Sequence, residues 1–518
     1  MAIFALVWTI ELYVVQAATL VYPNETGARF AFFAPKIRFV LDLLFVVSIS
    51  FLFRRRWLAV IVCGAFFANL GLVTYFQYFR RPLSLLTLFA NWREGSEVSL
   101  IGPGLFSQMV VFWLLLALAI QLAALWCSRK VALPRRCGWL AGGVLAMGYV
   151  GLYSVANYCD PLDTIKVTHG VGRLGEVRGY LGPWFAEWYY LRNKDILESA
   201  LKRRKVVYDR LTPVEAAIPI HKHLVILQAE SLDYNVLGFP VNGQAVTPFL
   251  NSLRDASMFY RVQAIHKNGS ADADFAALNA VAGSDHTITY KIDGYPYQNT
   301  TPELLVDCGY AVSAFHGNSG EFYERRKAFE KMGFTGLLFR EELEGRYQLK
   351  SDRWGVTDRE VLNLSAQLMR SSTGPTCHFI ITLTTHLPYT LLPDEHEIYP
   401  QPGTMVERYL NNMRYLDNCL RDYVTKLGSG TTVMIYADHP TEDGNQEFKP
   451  DHAFGRKFIP CFIFDTDQDL SKLQKTRDDP RALDGTWNLI DVISYLRAQV
   501  ADSCERAPAA EPAAIEAE

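Results

Sequence analysis

Charged residues are scarce in this chain of 518 residues. Asp, Glu, Lys and Arg together make up 20% of it, whereas half of the residues are hydrophobic. This excludes an intrinsically disordered protein, since such chains combine high charge with few apolar residues. The net charge of −3 also argues against nucleic-acid binding by bulk electrostatic attraction. A mean hydropathy of +0.04 is too low for a pure transporter and too high for a soluble enzyme, which indicates a chain with two unlike parts.

Histidine is absent from the first 168 residues, and all eleven histidines follow them. Long apolar runs show the opposite distribution. A helix needs roughly 20 apolar residues to cross a bilayer, and five stretches of about this length lie before residue 160. These predicted spans are Ala2–Val21, Ile37–Phe53, Trp57–Phe79, Leu105–Cys127 and Cys137–Cys159. Residues 1–159 are therefore predicted to form a five-helix transmembrane bundle, and metal or acid–base chemistry is expected only beyond it.

Lys and Arg are unevenly placed between these spans. Seven occupy the two short connectors Arg54–Arg56 and Arg129–Arg136, whereas six occupy the longer loops on the opposite side. Because short basic connectors stay in the cytoplasm, we expect the N-terminus inside and the residues after Cys159 outside. The first span has no Lys or Arg before it, which disfavours a cleavable signal peptide.

Acidic residues are rare within the spans, where Glu11 and Asp42 each cost about 2.5–3.5 kcal/mol on insertion scales if they lie centrally. A contact with a lipid headgroup or with another helix would give them a function. We favour the simpler expectation, which is interfacial snorkelling of Asp42 beside Lys36 and Arg38 and a paired or protonated Glu11.

Three further segments follow the predicted bundle. Residues 160–222 are expected to be a juxtamembrane linker, since Gly182–Leu191 clusters aromatics as interfacial segments do and Asn193–Arg210 is a charged helical candidate. Residues 223–506 alternate short β-rich runs with helical stretches, which predicts an α/β domain. The Ala-, Pro- and Glu-rich residues 507–518 are typical of a flexible tail.

Five runs in the α/β domain are the best strand candidates. Their continuous apolar character predicts burial on both faces, as in a mostly parallel sheet with helices on both sides. They are Leu224–Leu227, Ala311–Phe315, Phe379–Leu383, Val433–Tyr436 and Phe458–Phe464. Ligands of such sheets bind beyond the carboxyl ends of the strands.

Four of these strand ends carry ionisable side chains, which packing alone does not require. They are Glu230, His316, His386 and the pair Asp438-His439. The oxygen and nitrogen donors of Glu230, Asp438 and His439 suit a divalent cation such as Mn²⁺, Zn²⁺ or Mg²⁺. The sequence therefore predicts a metal site at this edge of the sheet.

Ser270 is the candidate nucleophile and fourth metal ligand. It follows Gly269 and precedes an apolar helical stretch, and a helix N-terminus offers a positive dipole end and free N–H groups to an anion. The structural alternative is that Ser270 only caps this helix.

The extramembrane part resembles the alkaline phosphatase/sulfatase superfamily, specifically the lipoteichoic acid synthase-like membrane phosphotransferases. The resemblance covers about Leu224–Phe464, and the five preceding spans match the architecture of that family. It is carried by an ordered series of motifs, LQAES, NGQAVTPFLNSL, GSADAD, FHGNSGEFYERRKAFEKMGF, TTHLPY and YADH.

This resemblance implies that the metal, usually Mn²⁺, is held by Glu230, Ser270, Asp438 and His439, with Ser270 as nucleophile. It also implies a headgroup pocket lined by His316, Tyr323, Arg325 and His386, with His386 or His316 protonating the leaving diacylglycerol. His452 is a further candidate phosphate contact.

The implied reaction moves a glycerophosphate headgroup from phosphatidylglycerol, through a phospho-Ser270 intermediate, to a glycan or glycolipid/teichoic-type acceptor. The implied location is a bacterial inner membrane, with the catalytic domain on the periplasmic or extracellular side. Three positions depart from the family, since Ser270 replaces the usual Thr, Gln228 a common His and Tyr323 a common Trp. The last two leave the headgroup open.

Two other reactions remain open, a phosphoethanolamine transferase acting on an envelope glycan or lipid, and a phosphodiesterase or phosphatase that transfers to water. The first usually has Gly-Glu-Ser after its Asp-His, where this chain has Pro440-Thr441-Glu442. Sulfate-ester hydrolysis is disfavoured, because Ser270-Ala271-Asp272-Ala273-Asp274 lacks the Pro and Arg needed for formylglycine formation. A membrane scaffold with a relic domain is disfavoured by the intact ligand set.

Paired CxxC spacing is absent among the nine cysteines, so no zinc-finger pattern is present. Six of them fall in the part expected outside the cytoplasm, where disulfides are permitted. Spacing does not choose a pairing, and free buried thiols are the expectation.

Overall fold

The computed structural model describes two compact units, Met1–Ile196 and Leu197–Glu518. The described residues are 2–19, 34–79, 108–128, 135–159, 220–266, 269–284, 287–352, 354–387, 389–391, 393–441, 458–467 and 487–506, with a few isolated positions between them. The predicted tail 507–518 and most of the predicted linker 160–222 lie outside this set.

Five apolar helices form the described part of the N-terminal unit. They are α1 (Ala2–Thr19), α2 (Ala34–Leu52), α3 (Arg55–Phe79), α4 (Gln108–Cys127) and α5 (Arg135–Cys159), and each coincides with a predicted span. Within the described residues, three segments are long and apolar enough to cross a membrane, namely Ala2–Thr19, Arg55–Phe76 and Gln108–Cys127, while Trp139–Leu152 of α5 is shorter. The five-span topology therefore stays a prediction.

Both acidic residues of this unit pair with amide side chains of other helices. Glu11 accepts hydrogen bonds from Asn69 of α3, at 2.8 Å, and from Gln121 of α4. Asp42 is buried and accepts a hydrogen bond of 3.0 Å from Gln16 of α1. Such bonds join helices in an apolar environment, where an unsatisfied polar group is costly. Glu11 is thus paired as expected, and Asp42 is also paired with another helix, a contact that the snorkelling expectation did not include.

A seven-stranded sheet forms the centre of the C-terminal unit. Its strands are β1 (His223–Ala229), β4 (Met258–Gln263), β5 (Ala311–His316), β6 (Gly336–Leu338), β7 (Thr376–Ile381), β8 (Thr431–Ala437) and β9 (Phe458–Asp465), and a small hairpin joins β2 (Pro240–Val241) to β3 (Gln244–Ala245). The strand order is β4-β9-β8-β1-β7-β5-β6. Strands β8, β1, β7, β5 and β6 are mutually parallel, and β9 is antiparallel to both β8 and β4.

Helices flank this sheet in two groups. The bounds are α6 (Pro248–Ala256), α7 (Ala271–Asn279), α8 (Thr301–Asp307), α9 (Arg325–Phe329), α10 (Arg340–Gly345), α11 (Asp358–Ser371), α12 (Met405–Lys426) and α13 (Leu489–Arg506). Helix α12 packs against α6 and α11, while α7, α8 and α13 pack together. Every residue of β7 and β8 is buried, as expected for strands covered on both faces.

The predicted fold class is confirmed, an apolar helical N-terminal part followed by a mostly parallel sheet with flanking helices. All five predicted strands occur, although β7 begins at Thr376 and ends at Ile381, two residues before the predicted end. Strands β4 and β6 and the small hairpin were not predicted. The register pairs Ala229 with Ala437 and Gln228 with Ile381, so β8, β1 and β7 end along one edge.

Candidate active site

The carboxyl ends of β1 and β8 bring three predicted ligands together. Because Ala229 pairs with Ala437, the next residues along each strand, Glu230 and Asp438, leave the sheet side by side. One donor atom from each of Glu230, Asp438 and His439 lies within 4.8 Å of the others, and all three residues are buried. Residues more than 200 positions apart in sequence therefore form one cluster.

The two oxygens of Asp438 have different surroundings. Oδ1 accepts hydrogen bonds from the backbone N–H groups of Ser231, at 2.8 Å, and His439, at 2.7 Å. Oδ2 is buried and accepts no hydrogen bond from the described residues, but it lies 3.5 Å from His439 Nε2. A buried carboxylate oxygen in this state needs either a proton or a cation as its partner.

His439 directs a lone pair toward the same point. Its Nδ1 lies 2.9 Å from the carbonyl oxygen of Pro440, and a carbonyl only accepts, so Nδ1 carries the proton. The Nε2 lone pair then faces Glu230 Oε1 at 3.5 Å. A backbone carbonyl that fixes the tautomer in this way is the usual support of a metal-binding histidine.

Ser270 lies at the start of α7 with its side chain turned to the cluster. Its Oγ donates to Glu230 Oε2 at 3.1 Å and lies 3.4 Å from His439 Nε2. It makes no side-chain capping bond to α7, so the alternative of a simple N-cap is not what the structure shows. The hydroxyl is instead placed where a fourth ligand would lie.

The cluster fits a divalent cation by the chemistry of its donors. Burial and the adjacent Glu230 carboxylate raise the pKa of Asp438 well above its usual range. Burial also opposes ionisation of Glu230, but His386 and His439 outweigh it and hold the pKa of Glu230 below its usual range. Two buried carboxylates thus compete for positive charge, and a hard or borderline dication with oxygen and imidazole donors satisfies both.

Gly269 allows a close approach beside Ser270. Its φ of +134° lies in a region that L side chains rarely adopt, and a Cβ at this position would lie 2.9 Å from Tyr323 Oη. Tyr323 itself has a positive φ of 61°. Its ring also lies 5.2 Å below the guanidinium carbon of Arg325, so Tyr323 contacts Arg325 and lies beside Gly269, the residue before Ser270.

Arg325 is held by a second buried carboxylate. Its Nε donates to Asp274 Oδ2 at 2.7 Å, and Tyr290 Oη donates to Asp274 Oδ1 at 2.9 Å. Asp274 belongs to α7, one turn after Ser270, so the helix that begins beside Ser270 also fixes the arginine. This ion pair uses Nε of Arg325 and not its terminal nitrogens.

His316 and His386 lie within electrostatic reach of Glu230. Burial and the nearby Arg325 lower the pKa of His316 to about 3, so its ring is neutral. Its Nδ1 lies 3.1 Å from the carbonyl oxygen of Ile381 and carries the proton, which leaves Nε2 as an acceptor. His386 Nδ1 likewise lies 2.8 Å from Leu387 O, and its ring lies 4.6 Å from that of Trp354.

The turn after β7, which carries His386, is tied to the metal cluster on one side. Thr382 Oγ1 accepts from Glu230 N at 2.8 Å, and Thr385 Oγ1 donates to Glu230 O at 2.6 Å. On the other side the Asp358 carboxylate accepts from the N–H groups of Leu383, at 2.6 Å, and Thr384, at 3.0 Å. The turn therefore has little freedom.

Comparison with known proteins gives the domain a family. Residues 222–479 match the Sulfatase family. A curated lipoteichoic acid synthase from Staphylococcus saprophyticus is 27% identical over 256 residues, which is 46% of this chain and 39% of that protein. The C-terminal domain is therefore a Sulfatase-family domain that is similar in sequence to lipoteichoic acid synthases. The resemblance inferred from the motifs is confirmed.

Two further similarities extend this result. The lipoteichoic acid synthase of Staphylococcus aureus is 25% identical over 294 residues, which is 53% of this chain and 44% of that protein. The chain thus spans about two fifths of the length of these curated relatives. The integral membrane protein lipooligosaccharide phosphoethanolamine transferase A from Neisseria meningitidis has a TM-score of 0.58 and 13% identity, over 97% of this chain and 95% of that one. At that identity the likeness supports the fold alone.

Several residues of this lipoteichoic acid synthase-like site were not singled out from the sequence. The ring of His266 lies 4.2 Å from that of His439, Asp274 holds Arg325, and Asp358 holds the turn after β7. Ser231 donates from Oγ to Glu230 Oε1 at 2.9 Å. His266 and Asp274 stand in the same segment as Ser270, which was the available signal, whereas nothing local marks Asp358. His452 lies outside the described residues.

Proposed function

We propose that this protein is a metal-dependent phosphotransferase that uses phosphatidylglycerol as donor. It moves the glycerophosphate headgroup through phospho-Ser270 to a glycan or glycolipid/teichoic-type acceptor outside the cytoplasm of a bacterium. The observation that carries the proposal is the convergence of the Ser270 hydroxyl with Glu230, Asp438 and His439 in one buried cluster. Similarity to curated lipoteichoic acid synthases is our reason to propose glycerophosphate and not another headgroup.

Four residues would hold the cation, namely Glu230, Ser270, Asp438 and His439. When bound, a divalent cation such as Mn²⁺, Zn²⁺ or Mg²⁺ supplies Lewis-acid activation of the serine hydroxyl and neutralises phosphate charge. Mn²⁺ is the ion we expect, by resemblance to the family. The protein contributes the fixed direction of each donor, since backbone N–H groups hold Asp438 and the Pro440 carbonyl holds His439.

In the first step the Ser270 oxygen, which has already lost its proton to solvent, forms a bond to the lipid phosphorus, and the bond from phosphorus to the diacylglycerol oxygen breaks. We assign protonation of that oxygen to His386, which then carries a second proton on Nε2 beside the one on Nδ1, because the buried His316 is neutral and has its one proton committed to Ile381 O. His316 is then proposed as an acceptor for a headgroup hydroxyl. Arg325 pairs with Asp274 and is proposed to place its terminal nitrogens on non-bridging oxygens, next to Tyr323. His452 remains a proposed phosphate contact.

In the second step an acceptor hydroxyl gives its proton to His386 and its oxygen displaces Ser270 from phosphorus. His386 gives a proton in the first step and takes one in the second, so the same imidazole acts as acid and then as base. The apolar N-terminal helices are proposed to keep the site at the outer leaflet, where the lipid donor lies.

The test is to trap the intermediate. Purified protein with Mn²⁺ and phosphatidylglycerol labelled in the headgroup, without acceptor, is expected to carry label on the tryptic peptide 268–291, which contains Ser270. Mass spectrometry of that peptide distinguishes glycerophosphate from phosphoethanolamine. Ser270→Thr keeps a hydroxyl and is expected to retain labelling, whereas Ser270→Ala is expected to abolish it.

Full turnover by Ser270→Ala would show that the nucleophile is wrong. Rapid stoichiometric release of the headgroup into water, with no acceptor present, would favour the hydrolase. Label from phosphatidylethanolamine alone would favour the phosphoethanolamine transferase.

A further inference from the structure

Two cysteines away from the active site lie at corresponding positions of neighbouring helices. Cys308 ends α8 and Cys504 lies in the last turns of α13, and both are thiols in the structure. The two helices pack against each other. Neither thiol has a part in the proposed reaction.

The register of the two helices is fixed near their other ends. Arg497 of α13 donates from Nη2 to Asn299 O at 2.7 Å and from Nη1 to Thr301 Oγ1 at 3.5 Å. Cys308 follows Thr301 by seven residues, and Cys504 follows Arg497 by seven. Seven residues are about two helical turns, so each cysteine returns to the face that carries this contact, at the same height along the pair.

The thiols meet as this register requires, because the Cys504 side chain is hydrogen-bonded to Cys308. Burial and that hydrogen bond raise the pKa of Cys308 to about 12. Both residues are only half-buried, so an oxidising enzyme can reach them.

We propose that Cys308 and Cys504 form a disulfide outside the cytoplasm, which fastens the C-terminal helix α13 to the catalytic domain. The inference rests on the exterior location in the proposed function, because disulfides persist in oxidising compartments. Helix α13 also packs against α7, whose first turn follows Ser270. The bond thus restrains a helix that supports the nucleophile.

The oxidant is the disulfide of an extracytoplasmic thiol–disulfide oxidoreductase. The sulfur of Cys504 loses its proton and attacks that disulfide, which forms a mixed disulfide and releases one thiolate of the enzyme. The sulfur of Cys308 then loses its proton and attacks Cys504, which releases the second thiolate. Two thiols are oxidised, and the two electrons reduce the oxidoreductase to its dithiol.

The experiment is peptide mapping of the full chain in its own membranes, with N-ethylmaleimide added at lysis to block every free thiol. Trypsin releases residues 292–325 with Cys308 and residues 498–506 with Cys504, each with no other cysteine. The expected product is the two peptides joined, with the mass of their sum less two hydrogens, and it disappears on reduction. Reduction is also expected to lower Tm by roughly 5 °C.

Two variants make the result specific. Cys308→Ser is expected to lose the joined peptide and the response of Tm to reductant, whereas Cys377→Ser, a change at the other thiol near Tyr310, keeps both. Recovery of both peptides with blocked thiols, or of Cys308 joined to another cysteine, overturns the proposal. Label transfer from phosphatidylglycerol, measured on the same membranes, reports the proposed function separately.

Discussion

Gly269 sets how closely the chain passes behind the proposed nucleophile. Gly269→Ala places a methyl group 2.9 Å from Tyr323 Oη at a φ of +134°, so either the Tyr323 ring or the backbone before Ser270 must shift. We expect kcat to fall about tenfold or more, since an increase of roughly 1.4 kcal/mol in the activation free energy lowers the rate by a factor of ten. Headgroup transfer measured at saturating phosphatidylglycerol checks this.

Gly243→Ala is the matched control for this change. Gly243 also has a positive φ, of 79°, but a Cβ there meets no atom within 4 Å. Its variant carries backbone strain without contact with the site, and we expect a lower Tm with normal kcat. Equal losses of kcat in the two variants would show that strain alone, and not the approach to Tyr323, explains the effect.

His378 gives the fold a dependence on pH that is independent of the active site. Burial lowers its pKa to about 3, whereas the unfolded chain binds a proton near pH 6.5. Its contribution to the free energy of unfolding is therefore full above about pH 6.5 and is lost as the pH falls toward 3. His378→Leu is expected to reduce the slope of unfolding free energy against pH by up to about 1.4 kcal/mol per unit in this window.

Urea titrations of the full chain at a series of pH values measure this slope. Ser365 Oγ contacts His378 Nδ1 at 2.8 Å and Tyr423 Oη at 2.9 Å, so the hydroxyl keeps a partner in the variant. An unchanged slope in His378→Leu would mean that this histidine does not titrate with unfolding.

The residues that could be predicted are those that follow strands. Glu230, Asp438 and His439 were identified because parallel strands end at one edge of a sheet, and packing does not require ionisable side chains there. Asp274 and Asp358 were not, because their role is to bind other site residues across the fold. An acidic residue on a helix has no local mark that distinguishes a buried partner of Arg325 from a solvated surface charge.

At the scale of elements, the turn after β7 depends on the first residue of α11. Asp358→Asn replaces an acceptor oxygen by an NH₂ group opposite the N–H of Leu383 or Thr384. We expect His386 to lose its position, so that kcat falls at least tenfold while Mn²⁺ affinity is unchanged. Transfer kinetics and Mn²⁺ titration by calorimetry separate the two quantities.

Asp417→Asn is the control, since this carboxylate also accepts two backbone N–H groups, those of Phe249 at 2.9 Å and Leu250 at 2.8 Å. It holds α6 to α12 and touches none of the proposed site residues. We expect Asp417→Asn to lower Tm about as much as Asp358→Asn does, but to leave kcat unchanged. A normal kcat in Asp358→Asn would show that Asp358 is not needed to position His386.

The elements that escaped prediction are the edge strands. Strands β4 and β6 lie at the two ends of the sheet order and are less fully buried than β7 or β8, so their sequences lack a continuous apolar run. The interior strands were predicted because burial on both faces leaves a strong sequence signal. Pairing of Asp42 with Gln16 depends on how α1 and α2 pack, which hydropathy does not specify.

At the scale of the whole molecule, the cation is expected to contribute to stability as well as to catalysis. Ligand at about 100 times its Kd adds about 2.7 kcal/mol when it binds only the folded chain. Removal of metal by EDTA is therefore expected to abolish transfer and lower Tm by several degrees, and Mn²⁺ to restore both. Asp438→Asn is expected to lose the Mn²⁺-dependent part of Tm.

A second group of similar donors in the described residues serves as the control. His221, Asp465 and Asp467 lie before β1 and at the end of β9, and Asp467 is exposed. Asp467→Asn is expected to keep the full response of Tm to Mn²⁺. If Tm no longer responds to Mn²⁺ in Asp467→Asn but still responds in Asp438→Asn, the ion binds at the second group and not at the proposed site.

The position of β1 in the sheet has a consequence for biogenesis. Its two neighbours begin at Thr376 and Thr431, so β1 has no partner until most of the polypeptide has been translated. Until then an apolar strand of the domain lacks both of the neighbours that cover its edges in the folded sheet.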